Sequence, residues 1–238
     1  MAQATPGPSK AYIPVSQTDE VTRSAFLVKV YQHLVLAVAA FIAVEAVLFT
    51  TGAAEAILNV LYRSGGIGWL AFMGGFMVLG NVAASRAHDL TSSRAQYAGL
   101  FGYALLEAVI FAPFLYLVFS QEGGTTTVGM AAVITIAGFA VLTVVAFTTR
   151  KDLSFLRPLI IWASVAALAL IVVGALFNFE LGVMFSVAMV ALAGATILYQ
   201  TQTILRQYPE WAYVGAAASL FASLMMLFWY VLRILSRR

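Results

Sequence analysis

The chain has no cysteine and only two histidines, His33 and His88, in 238 residues. Without thiols there are no disulfides, thiolate metal sites, iron–sulfur clusters or thioether-linked haems. Two histidines on separate segments fall short of a zinc or haem ligand set. Charge is scarce too: 10% of the residues are Asp, Glu, Lys or Arg, against about 25% in an average soluble domain. The lysines are Lys10, Lys29 and Lys151, so the last apolar stretch lacks the Schiff-base lysine of a seven-helix retinal protein. Neither an HExxH zinc-protease motif nor a Gly-x-Ser-x-Gly nucleophile elbow occurs. These gaps leave no catalytic residue, no confident metal site and no cofactor, and the chain reads as a non-enzyme. The net charge of +3 is spread over helix ends and forms no basic stripe interleaved with aromatics, which argues against nucleic acid as a partner.

What is present in excess is apolar. Hydrophobic residues make up 62% of the chain, with a mean hydropathy of +0.94. A hydrocarbon core about 30 Å thick takes roughly 20 mostly apolar residues per crossing helix, and inside it the backbone must satisfy its own hydrogen bonds. Seven stretches qualify, at about Phe26–Thr50, Gly66–Ser85, Gln96–Phe119, Thr127–Thr149, Leu156–Phe177, Leu181–Leu205 and Ala212–Leu235. The expected fold is an all-α integral membrane protein with seven transmembrane helices in one domain, residues 25–238, in contact with the lipid bilayer. Residues 1–24, rich in Pro, Ser, Thr and Gln, are expected to form a disordered cytoplasmic tail. The first stretch is too long for a cleavable signal peptide, and a polar tail precedes it.

Basic residues orient the spans. With the N-terminus inside, the cytoplasmic set is Lys10, Arg23, Lys29, Arg86, Arg94, Arg150, Lys151, Arg157 and Arg206; the outer set is Arg63, Arg233, Arg237 and Arg238. Nine against four predicts N-in, and seven crossings then place the C-terminus outside. Six crossings with one re-entrant helix would bring the terminal arginines inside and is the alternative.

Lipid supplies no hydrophobic force between helices, so small residues mark close-packed faces. Ala212, Gly215, Ala216, Ser219, Ala222 and Ser223 form such a stripe in the last span, with Leu220, Leu224, Leu227 and Val231 opposite. Gly182, Ser186, Ala193, Thr196 and Gln200 share a face of the sixth. Six helices are therefore expected around a central seventh, with Gln200 and Ser223 in the interior. Intramembrane carboxylates are site candidates by default: Glu107, one turn after Tyr103 in the third span, and Glu45 in the first could each hold a cation or carry a proton. Packing offers alternatives, a hydrogen-bonded Glu107 and a Glu45 that snorkels to the interface. Lys29 and His33 read as an interfacial pair.

Several segments resemble the Bax inhibitor-1 (TMBIM) family, including its bacterial YccA-like branch. The loop Thr149, Arg150, Lys151, Asp152, Leu153, Ser154, Phe155, Leu156 looks like the family's (T)xKDhSFL signature. FLVKVYQHL at 26–34, LEAVIFAPFL at 106–115, ATILYQTQTIL at 195–205 and AASLFASLMMLFWYVLRIL at 217–235 resemble its first, third, sixth and seventh helices in order. The signature loop also has a plain structural reading. Asp152 and Ser154 are helix-capping types before an apolar span, Pro158 suits a first helical turn, and Arg150 and Lys151 anchor the interface.

The resemblance implies a Bax inhibitor-1-like bundle with the seventh helix central, and it exposes a departure. In channel-like members a sixth-helix Asp in an ILYDxxxI context faces a seventh-helix Asp in an LYLDxxNLF context, a carboxylate pair that can switch a pore with pH. Those positions are Gln200 (ILYQTQTI) and Ser223 (LFASLMMLF) here, and Met226 takes the place of the Asn. Arg86 is the counterpart of the arginine ending the family's second helix, without its carboxylate partner. The family's gate does not carry over, although Gln200 and Ser223 can form a neutral hydrogen bond.

Two functions follow as expectations. The first is a YccA-like modulator and slow client of a membrane AAA+ protease of FtsH type, in membrane-protein quality control and stress response at a bacterial inner membrane. The second is a passive Ca²⁺ leak, or other cation or H⁺ transport, without the di-aspartyl gate. A hard cation wants several oxygen ligands, and the interior offers Glu107 and Glu45.

Overall fold

The computed structural model describes residues 12–149, 151–177 and 179–237. Its elements are a short 3₁₀ turn, Val15–Gln17, and seven helices: α1 (Glu20–Thr50), α2 (Ala53–Ala87), α3 (Ser93–Phe119), α4 (Gly124–Thr148), α5 (Leu156–Phe177), α6 (Val183–Gln207) and α7 (Tyr213–Leu235). All seven are long and apolar enough to cross a membrane. Large apolar side chains such as Val133, Ile136, Ile161, Trp162 and Val165 lie on their outer faces, where a soluble protein would present charge and a bilayer presents hydrocarbon.

Loops at one end of the bundle contact one another. Val15 N–H donates to the Tyr208 carbonyl, His88 lies against Ser219, and Gln202 holds the backbone at Lys151 and Leu153. The α5–α6 connection meets the chain end after α7 at the opposite pole, where Arg233 and Arg237 donate to the Leu181 carbonyl. The chain thus changes ends with each helix, and each of the seven runs from one pole of the bundle to the other.

Helix α7 is the hub. Fourteen of its residues are buried, and they include the leucines as well as the small residues: Leu220, Leu224, Leu227 and Val231 are as enclosed as Gly215 and Ala216. A helix apolar all round belongs inside. Its neighbours are α1, α2, α3, α4 and α6. The expected ring of six is corrected to five, because α5 packs on α6 and α2 instead. Close approach explains that placement, since a Cβ on Gly66 of α2 would stand 2.7 Å from the Ala175 carbonyl oxygen of α5.

Two boundaries also depart from expectation. Residues 53–64, expected as a loop, are helical and precede a kink at Gly65, whose φ of 60° and ψ of −156° suit glycine alone. Ala54, Leu58 and Leu61 are buried from this stretch at helical spacing, while Glu55, Asn59 and Arg63 hide it from a search for uniformly apolar spans. The disordered tail expected over 1–24 is corrected for residues 12–24; residues 1–11, with Lys10, lie outside the described residues. Val15 is fully buried, the Tyr12 hydroxyl donates to the Gln207 carbonyl at 2.8 Å, and Ser16 Oγ donates to the Arg206 carbonyl at 2.9 Å. These segments satisfy carbonyls that the end of α6 would otherwise leave orphaned. Asp19 then caps α1 by accepting from Thr22 N–H at 3.0 Å. Hydrogen bonds from the Thr22 hydroxyl and amide hold the Asp19 carboxyl below its ordinary pKa.

Candidate functional site

Gln200 and Ser223 meet between α6 and α7. Ser223 Oγ donates to Gln200 Oε1 at 2.7 Å, with the Ser219 carbonyl as a longer second acceptor at 3.3 Å. Ser223 is 3% exposed and Gln200 is half-buried, so the sequence expectation of an interior pair holds for Ser223 and is corrected for Gln200, and the bond is a neutral link between α6 and α7. The residue that reaches α7 from the end of α2 is His88. Arg86, expected as the dyad-region arginine, is exposed and sits beside Asp89. Arg86 and His88 are both exposed, but it is the cap residue His88 whose ring lies against α7. His88 Nδ1 lies 2.7 Å from the Ala84 carbonyl, and Nε2 lies 3.1 Å from Ser219 Oγ. The approach is tight, because a Cβ on Gly215 would sit 3.0 Å from both the Ala87 oxygen and the His88 ring. Sequence reading missed His88 and Ser219 as partners because their contact spans 131 positions.

Glu107 is buried on α3. It shares a hydrogen bond with the Tyr103 hydroxyl one turn earlier, and the Tyr103 ring packs edge-on against Phe221 of α7. Of five well-formed cavities, none has Glu107 in its lining. Glu45 does not snorkel, which corrects that alternative. It continues the buried face Phe26, Val30, Leu34, Ala37, Phe41 of α1, and both carboxylate oxygens are enclosed without a hydrogen-bond partner. It borders an apolar cavity of about 310 Å³, as does Thr135 of α4, whose hydroxyl is likewise unpartnered. None of these five cavities joins Glu45 to Glu107. Among the described residues no three His, Asp or Glu side chains converge.

The signature loop docks on α6. Gln202, 5% exposed, accepts from Leu153 N–H at 2.7 Å and donates to the Lys151 carbonyl at 2.7 Å, a two-point clasp on the backbone. Asp152 accepts from the Ser154 hydroxyl at 2.7 Å and amide at 3.0 Å, and faces Arg206 at 3.6 Å. Those Ser154 bonds, helped by Arg206, hold the Asp152 carboxyl below its usual range. Phe155 is 66% exposed, suited to the membrane interface. Arg150 lies outside the described residues. The Lys29 and His33 side chains go to different partners: His33 Nδ1 lies 2.7 Å from the Lys29 backbone carbonyl and Nε2 lies 3.1 Å from the Tyr97 hydroxyl, while the Lys29 ammonium stands over the Tyr213 ring.

A family model described as "Inhibitor of apoptosis-promoting Bax1" matches residues 23–238, which is everything from the first turns of α1 onward. The chain belongs to the Bax inhibitor-1 family. Comparison with curated proteins gave no match. Within this Bax inhibitor-1 chain, the Gln200–Ser223 bond links α6 to α7, and the signature loop between α4 and α5 is clasped by α6.

Proposed function

We propose that this Bax inhibitor-1 protein is a non-catalytic regulator of the YccA-like kind, a modulator and slow client of a membrane AAA+ protease of FtsH type. In this reading it sits in a bacterial inner membrane with its N-terminal end in the cytoplasm. The observation that carries the reading is the Ser223–Gln200 hydrogen bond. It gives the α6–α7 contact a neutral pair with no group that titrates near neutral pH, so the chain acts through its helices and cytoplasmic end rather than as a pH-gated pore. The orientation draws on the positive-inside rule: Arg23, Arg86, Arg94, Lys151, Arg157 and Arg206 share the end where the loops clasp one another, and Arg63, Arg233 and Arg237 lie at the other. A handle for the protease must come from residues 1–11, because Val15 and Asp19 are built into the fold. Deleting residues 2–11 should lengthen the protein's lifetime in cells carrying the protease and leave insertion unchanged. An unchanged lifetime would refute the client role.

A second reading, a passive Ca²⁺ leak, is favoured by two buried carboxylates, Glu107 and Glu45. Purified protein in liposomes should then pass Ca²⁺ at a rate flat around neutral pH. Gln200→Asp combined with Ser223→Asp should make that rate pH-dependent. A steep pH response already present in the unaltered chain would overturn this account of the dyad position.

A further inference from the structure

The largest of the five cavities, about 1050 Å³, opens at the pole that holds the α5–α6 connection and the end of α7. Arg233 and Arg237 stand at its mouth, and both donate to one acceptor, the Leu181 carbonyl, at 3.3 and 2.8 Å. A guanidinium carries five N–H donors, so most of this capacity is unspent on that single oxygen. Two like charges drawn to one peptide group are mutually repulsive, and neither arginine forms an ion pair among the described residues. Glu180 also lines the cavity, and one carboxylate against two guanidiniums leaves the mouth positive. Trp69, Trp229 and Tyr230 line the wall, residue types that favour headgroup depth. Deeper, Met73, Ile110 and Ile171 make it apolar, and the α3 wall from Ile110 to Leu117 runs roughly 10 Å at 1.5 Å per residue.

We propose that this cavity binds an anionic phospholipid, with the phosphate held by Arg233 and Arg237 and the upper acyl chain lying against Met73, Ile110 and Ile171. Guanidinium forks match phosphate oxygens bidentately, which answers the positive mouth. A free phosphate would leave the apolar depth unfilled, so the lipid satisfies both halves of the cavity. The site is independent of whether the protein regulates a protease or leaks cations.

The test uses the full chain, delipidated in non-ionic detergent. Native mass spectrometry reads binding of dioleoyl phosphatidylglycerol and dioleoyl phosphatidylcholine, with inorganic phosphate as competitor. Phosphatidylglycerol should bind about tenfold more tightly than phosphatidylcholine, the scale of one charge-assisted contact. Arg233→Gln with Arg237→Gln should abolish that preference. Arg233→Lys with Arg237→Lys should retain part of it, and Arg63→Gln, outside the cavity, should bind as the unaltered chain does. Equal binding of the two lipids, or a preference that survives the double glutamine variant, would overturn the proposal. So would displacement of phosphatidylglycerol by millimolar-scale inorganic phosphate, which would make the mouth a simple anion site.

Discussion

Gly99 of α3 packs directly on the backbone of α2, and a single methyl group tests how rigid that contact is. A Cβ built at Gly99 would lie 2.2 Å from the Ala87 amide nitrogen, 2.6 Å from the Ala83 oxygen and 2.7 Å from the Arg86 carbonyl carbon. Ordinary contact begins near 3.4 Å, so Gly99→Ala demands about 1.2 Å of separation (3.4 less 2.2) between two backbones. No side chain can rotate away to provide it. Overpacking of this kind costs about 1–3 kcal/mol, and the upper end applies because main chain must move. Alanine returns about 1 kcal/mol through its better helix propensity, for a net loss of about 2 kcal/mol. For a chain of this size that corresponds to a fall in Tm of roughly 4–8 °C. Gly102, three residues further along the same helix, has nothing within 4 Å of its Cβ position. Gly102→Ala should therefore be neutral or stabilising by up to about 1 kcal/mol. Thermal unfolding in detergent, followed by tryptophan fluorescence, compares the two variants directly. A Gly99→Ala protein as stable as the unaltered chain, or a Gly102→Ala protein that is the weaker of the pair, would refute the close α2–α3 packing.

Gln202→Leu should free the α4–α5 loop, because it orphans the Leu153 amide and the Lys151 carbonyl; the expected loss is about 1–3 kcal/mol, read as faster hydrogen exchange confined to residues 151–156. Glu45→Leu removes a buried carboxylate whose oxygens have no partner, so it should raise the melting temperature, by the equivalent of about 1–3 kcal/mol. A lowered melting temperature would mean that Glu45 has a partner in the membrane.

The primary structure determined the class of fold unaided. Seven apolar runs in a chain with so few charges have only one stable solution in a bilayer, because the backbone cannot hydrogen-bond to lipid, and a helix satisfies itself locally. The centrality of α7 was legible for a related reason, since small residues at helical spacing mark where backbones meet, whereas the pairing of Gln200 with Ser223 came from the resemblance to the family's facing positions. The extra helical stretch before Gly65 was not legible, since an amphipathic segment carrying Glu55 and Arg63 fails a test for uniform apolarity. Nor was the docking of residues 12–19, whose hydrogen bonds go to carbonyls at the end of α6 nearly 200 positions away. Only the tertiary structure decided that His88 rather than Arg86 approaches α7, that Gln202 clasps the signature loop, and that Glu45 is enclosed while two arginines gather at a cavity mouth. Each of these depends on which face of one helix meets which face of another, and helical periodicity specifies a face without naming its partner.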